Sequence, residues 1–256
     1  MTEGYWAIVT WESGEIGEKL KYWTSGKAPT RSERQRKQDL RKQKANANNA
    51  IRHLNRLMNV NFPASHGVTI ALTYEDNVLD KLIGQEYRVT DPEQWDSAYA
   101  VANHQLELWL RRCRRQCAKA GIEFRYIALT SDLGWSGRDQ DYIHVRLHHH
   151  VVVSPECRDI CVNAWKLGQA FDKRLEGEVD HYAYAEYLLK QTRQVEKGAA
   201  RYIPSRNLRK PKESAPRIAP TGREVQAPRG AIMLYRSPFE VGRPQYIRYV
   251  LPPRRD

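Results

Sequence analysis

The sequence predicts an α+β fold in which an antiparallel sheet is covered by helices, and three observations lead there. Val68 to Tyr74 alternates Val68, Ile70, Leu72 and Tyr74 with Thr69, Ala71 and Thr73, the period-two pattern of a strand with one buried face. Asp91-Pro92-Glu93 and Ser154-Pro155-Glu156 are helix starts, each a capping side chain followed by proline in the first turn. Between them lie two strand-like runs, Phe124 to Thr130 and Tyr142 to Val153, joined by the polar turn Gly134-Trp-Ser-Gly-Arg138. The order strand, helix, two paired strands, helix, helix fits an antiparallel sheet with helices packed on one face.

Ahead of that core, Trp6 to Thr10 and Lys19 to Thr24 flank Glu12-Ser-Gly-Glu15 and read as an N-terminal hairpin. Lys27 to Lys44 is dense in Arg, Lys and Gln and reads as a solvated helical face or a contact for the DNA backbone. It leads into Ile51, Leu54, Leu57 and Met58, whose spacing is that of an amphipathic helix. The helix opened at Asp91 runs to about Ala120 and stops at Gly121. Leu106, Trp109, Leu110 and Cys113 form its buried stripe, and Arg111, Arg112, Arg114 and Arg115 complement the dipole of its last turns. Asp180 can cap a helix from His181 to about Gln194. Beyond Arg201 the chain is rich in Pro, Arg and Lys, and Ala231 to Tyr235 and Tyr246 to Leu251 are two short strands or an irregular tail. The expected organisation is a hairpin and basic helical arm over 1–60, a central domain over 61–212 and a C-terminal extension over 213–256.

The 256 residues carry a formal charge of +12, which suits a polyanionic partner such as nucleic acid. No apolar run approaches the length of a membrane span, and Met1-Thr-Glu-Gly-Tyr5 lacks the basic and apolar regions of a signal peptide, so a cytoplasmic protein without a membrane partner is expected. The absence of a Gly-x-x-x-x-Gly-Lys-Ser/Thr run excludes a Walker-type helicase motif. The four cysteines fall as Cys113-x-x-x-Cys117 and Cys157-x-x-x-Cys161, each pair one helical turn apart. Two such faces can bind zinc, but structural zinc sites favour tighter spacing, so buried reduced thiols are the better reading and a disulfide scaffold is not expected.

The chemistry concentrates in two places. In the extended run Arg146-Leu-His-His-His-Val-Val-Val153, His148 and His150 share one face while Leu147, Val151 and Val153 bury the other. Two imidazoles side by side are half of a metal site. On the later helix Tyr187 and Lys190 stand one turn apart, a phenol and an ammonium on one face, which suits a nucleophile that attacks a charged phosphate. A His-hydrophobic-His strand followed by a Tyr-x-x-Lys helix resembles the HUH endonucleases, in particular the rolling-circle replication initiators (Rep proteins) of small phages and plasmids. Val68-Thr-Ile-Ala-Leu-Thr-Tyr74 is similar to that family's first motif, and Pro204-Ser-Arg-Asn-Leu-Arg-Lys-Pro211 to the segment after the tyrosine helix in phage-type members. The likeness spans residues Asn61 to Pro211.

The resemblance implies a ferredoxin-like, RRM-like palm and metal-dependent, site-specific nicking of single-stranded origin DNA through a covalent 5′-phosphotyrosine on Tyr187, followed by rejoining. It implies a divalent ion, Mg²⁺ or Mn²⁺, on His148 and His150, with Lys190 favouring the phenolate or holding phosphate oxygens. Imidazoles take Mn²⁺ readily and Mg²⁺ prefers oxygen, so a third, oxygen ligand is expected. Many members carry a glutamate near the end of the preceding strand. This chain has Thr130-Ser131-Asp132 there, which makes Asp132 the nearest carboxylate and the expected third ligand, with Glu123 and water as alternatives. His149 occupies the normally hydrophobic place between the ligands and by alternation faces the helices. His144 shares their parity but is roughly 13 Å from His148. Tyr184, at i−3 from Tyr187, leaves a two-tyrosine mechanism open.

Arg201, Arg206, Asn207, Arg209 and Lys210 combine cations and an amide with nearby aromatic and hydroxyl groups, a mixture that can track a single strand. The partners implied are origin DNA and a bacterial host's polymerase and helicase. The competing readings are an HUH transposase or relaxase and a non-catalytic origin-binding protein. Relaxases commonly place the tyrosine ahead of the histidines, and a binding module would have lost a ligand or the tyrosine; this chain does neither.

Overall fold

The computed structural model describes residues 4–24, 40–63, 66–175, 179–192 and 201–253, without the side chains of 40–46. The basic run therefore lies outside the described residues over 27–39, and 40–44 is helical in its backbone. In chain order the first half contains β1 (Tyr5–Ser13), β2 (Ile16–Thr24), α1 (Leu40–Asn61), β3 (Val68–Thr73), α2 (Val78–Ile83), α3 (Trp95–Lys119) and β4 (Tyr126–Ser136). The second half contains β5 (Asp141–Val153), α4 (Arg158–Ala164), β6 (Ala170–Arg174), α5 (Tyr182–Lys190), β7 (Ile203–Pro204), β8 (Lys212–Glu213), β9 (Arg217–Ile218), β10 (Ile232–Arg236) and β11 (Gln245–Val250). The fold is mixed α+β, with antiparallel sheets and helices packed against them.

The chain divides into two compact units, Asn61–Leu208 and the combination of Met1–Val60 with Arg209–Asp256. In the second, the hairpin and the C-terminal extension, expected as separate appendages, form one sheet of order β10-β11-β2-β1-β8, with β9 also on β1. The reason is visible at β2 and β11. Ile16 and Ile247 are fully buried, and the carboxylate of buried Glu18 takes a bidentate pair from Arg56 and a bond from Tyr246 Oη at 2.8 Å. A hairpin alone buries too little apolar surface to persist, and the returning strands supply the missing cover.

The Asn61–Leu208 unit holds a five-stranded sheet of order β6-β3-β5-β4-β7. Val68, Ile70, Leu72, Ala128, Leu147, Val151 and Val153 face the core formed with α3 and α4. The start of α3 follows the sequence logic: Asp91 accepts from the backbone N–H of Glu93 at 3.1 Å, with Pro92 in the first turn. Its buried stripe includes Leu106, Trp109, Leu110, Cys113 and Cys117, and Gly121 ends it at φ +70°. Helix α5 departs from the expected single helical layer. Its residues meet the opposite face of the sheet, where Tyr184 bonds to Thr69 and the ring of Tyr187 packs beside His150. That helix starts after His181, whose Nε2 bonds to the Phe62 carbonyl at 2.7 Å, rather than after Asp180.

Candidate active site

Strand β5 positions the histidines through its pairing with two neighbours. His150 stands opposite Ala71 of β3 and Leu129 of β4, and His148 opposite Thr73 and Ser131. Both sit on the α5 side of the sheet. His149 points into the helical core, fully buried. The Thr130 hydroxyl donates to Asn103 at 2.6 Å, so it accepts from His149 Nδ1–H at 2.9 Å, and Nε2 of His149 is left to accept from the Tyr74 hydroxyl at 2.8 Å. Burial first, then the neighbouring imidazoles of His148 and His150, hold His149 down at about 3, so it is a neutral core group with both nitrogens engaged.

Three donor atoms converge on the other face. His148 Nε2 is 3.2 Å from His150 Nε2, which is 3.0 Å from Gln191 Oε1. Ligands at right angles around a first-row divalent ion, each about 2.1–2.2 Å from it, stand about 3 Å apart, and these two distances match that spacing. His148 Nδ1–H donates to the Arg146 carbonyl at 3.0 Å, which leaves the Nε2 lone pair facing its partners. Burial, then the neighbouring His148, lowers His150 to about 4, and the ring stays neutral and available as a ligand.

Gln191 follows the last residue of α5, four positions after Tyr187 and so on the same helical face. Its carbonyl receives the backbone N–H groups of Asp132 and Leu133 at 3.3 and 3.1 Å, which ties the helix end to a bulge in β4. In sequence the feature is Tyr187-x-x-x-Gln191, and a neutral amide signals a metal ligand less plainly than a carboxylate does.

Asp132 lies at that bulge, fully buried, with its carboxylate 3.6 Å from His144 Nδ1, and the His144 ring stacks on Trp95 with centroids 3.4 Å apart. It is not brought to His148 and His150: among the described residues no three His, Cys, Asp or Glu side chains form a group that can hold a metal ion. Glu123 is equally remote in its bonding, held by Arg125 and by Asn207 Nδ2.

Tyr187 is 45 % exposed, and its ring centroid is 5.8 Å from that of His150. It also stacks near-parallel with Tyr184, with ring centroids 5.9 Å apart. Tyr184 is bonded to the Thr69 hydroxyl, and burial is the main cause that raises its phenol to about 12, so it is held neutral and occupied. Lys190 pairs with Glu186 at 2.9 Å, an i,i+4 bridge that raises its pKa further.

Of the five residues expected to track DNA, Arg206 and Asn207 line a cavity of about 580 Å³ with Arg114, Phe124 and Tyr126. Ser205 is locked to Tyr126 by bonds in both directions, which fixes that segment against β4. Arg201 is half-buried in the same unit, whereas Arg209 and Lys210 are exposed in the other unit, with Arg209 bonded to the Val60 carbonyl. The four cysteines are all buried thiols in the core between α3 and α4. Among the described residues no helix is long and apolar enough to cross a membrane. No family model matches the chain, and neither does any curated protein or solved structure.

Proposed function

We propose that the Asn61–Leu208 unit is an HUH-type DNA endonuclease and strand transferase, and that the protein is a rolling-circle replication initiator acting on single-stranded origin DNA. The observation that carries this reading is the exposed phenol of Tyr187 beside His150, within one cluster with His148 and Gln191. A divalent ion held by His148 Nε2, His150 Nε2 and Gln191 Oε1 would neutralise charge on the scissile phosphate.

The chain's own groups do the rest. Tyr187 Oη attacks phosphorus; the new P–O bond to tyrosine forms as the bond to the 3′ oxygen breaks, with the phenolic proton released to solvent and one taken up by the 3′ oxygen. Lys190, one turn along and paired with Glu186, would supply positive charge to the scissile phosphate once that bridge opens. The free 3′ hydroxyl would serve a host polymerase with its helicase, and the reverse reaction would rejoin the strand. Tyr184, occupied by Thr69, supports a single nucleophile.

The test is incubation of the protein with end-labelled single-stranded origin DNA and Mn²⁺, with a chelator control, on a denaturing gel. A single cleavage site that disappears with chelator and with His150→Ala is the expected result. Tight binding with no cleavage on any authentic origin would favour a non-catalytic origin-binding protein.

A further inference from the structure

Strand β6 presents two exposed side chains on the α5 side of the sheet, Phe171 and Lys173. Phe171 lies in the same cross-strand row as His150, with only Ala71 between them, and Lys173 stands opposite Thr69, whose hydroxyl meets Tyr184. Directly opposed residues of an antiparallel pair share a face, so Phe171 and Lys173 stand on the side of His150. Asp172 between them turns the other way and pairs with Arg158 of α4. Phe171 is 57 % exposed, and two strand spacings place it roughly 10 Å from His150 across the sheet.

A cavity of about 400 Å³ opens beside Tyr187 on its Tyr184 side, lined by Thr69, Lys173, Arg174, His181, Tyr184 and Tyr187. No carboxylate is among the described residues that line it. Its volume falls within the roughly 300–1,000 Å³ of small-molecule sites. Tyr187 thus borders both the histidine cluster and this cavity, whose lining does not include the histidines.

That arrangement assigns a direction to the substrate. In an in-line displacement the tyrosine and 3′ oxygens are apical, and the equatorial positions hold two non-bridging oxygens and the 5′ oxygen. With the non-bridging oxygens turned toward His148, His150 and Gln191, the 5′ oxygen and its nucleoside point away from that donor set, and the cavity that shares Tyr187 but not the histidines is the space open to them. We propose that β6 carries the 3′ side of the nick: the first nucleoside after the scissile phosphate occupies this cavity, Lys173 binds the phosphate that follows, and Phe171 stacks beneath a base of the same stretch. This rests on Tyr187 as the nucleophile. A cation and an aromatic on one open face are what single-stranded DNA uses, the cation for its backbone and the ring for its bases.

The test separates the two ideas by omitting metal. Anisotropy titrations of labelled dT12 are run with full-length wild type, Phe171→Ala and Lys173→Ala, together with photocrosslinking of 5-iodouracil-substituted dT12 and peptide mapping. Both β6 side chains are exposed, so unchanged melting curves are expected. Losses of about fivefold or more in Phe171→Ala and Lys173→Ala, and a crosslink on the peptide containing Phe171, are the predicted results. Binding within twofold of wild type for both β6 variants, or crosslinks confined to other elements, would overturn the proposal. If the variants lose dT12 while wild type forms no Tyr187 adduct with Mn²⁺, β6 stands as a single-strand surface and the nicking reading falls.

Discussion

The side-chain oxygen of Gln191 lies 3.0 Å from Nε2 of His150, joining the end of α5 to the middle of β5. Since Tyr187 is one turn earlier on the same helix face, the contact fixes the phenol and the donor set in one frame. The β4 bulge reinforces it through two backbone bonds to the Gln191 carbonyl. If Tyr187 is the nucleophile and Gln191 a ligand, as proposed, one helix places both.

Gln191→Ala should therefore weaken Mn²⁺ binding by about tenfold or more, as His148→Ala and His150→Ala should, while Gln191→Glu keeps or tightens it by adding an anionic oxygen. Isothermal titration with Mn²⁺ measures this without DNA. Asp132→Asn, away from the donor set, should leave Mn²⁺ affinity unchanged.

His149 makes the opposite prediction. His149→Phe removes a core imidazole that bonds to both Thr130 and Tyr74 and strands a buried phenol, so it should destabilise by about 1–3 kcal/mol in urea melts while leaving Mn²⁺ affinity near wild type.

Much of this was legible in the residues. Alternation in β3 and β5 gave the sheet and sent His149 away from its neighbours, and the Asp91-Pro92 start located α3. The side of the sheet taken by α5 was not legible, because Tyr182 to Lys190 carries apolar residues without stating which sheet face they cover. Strand β6 was missed: Ala170-Phe-Asp-Lys-Arg174 is short, polar and an edge strand, with no buried face to give a period. Gly168, where a Cβ would collide with the Thr73 carbonyl, lets the chain turn back to form it. The joining of both termini into one sheet depends on pairing across the length of the chain, which local pattern does not encode.

The Tyr184 and Tyr187 phenols should separate cleanly. Tyr184→Phe loses the bond to Thr69 and should cost about 1 kcal/mol of stability while retaining the DNA adduct; Tyr187→Phe should melt as wild type and form none. Thermal denaturation beside a gel-shift of the denatured adduct reads both.

The thiols set an alkaline limit. Burial raises Cys157 to about 12 and also lifts Cys117, each above the value of an unfolded thiol. The unfolded chain then loses protons first, so this contribution to stability is complete below about pH 9 and declines as pH rises toward 12. Urea midpoints of the wild type should fall over that window more steeply than those of Cys157→Ala, and native thiols should stay unreactive to a disulfide reagent until the chain unfolds.

Glu18 closes the other unit's sheet with Arg56 and Tyr246, and removal of one partner from a buried pair leaves the other charge uncompensated. Glu18→Ala should cost about 3–5 kcal/mol, read from the denaturation midpoint.

The most direct measurement is mass spectrometry of tryptic peptides after reaction with single-stranded origin DNA and Mn²⁺ and nuclease trimming of the adduct. A nucleotide phosphate on Tyr187 alone, abolished by Tyr187→Phe, is the result expected if Tyr187 is the nucleophile. An adduct on Tyr184 or Tyr182, or one that survives Tyr187→Phe, would contradict it.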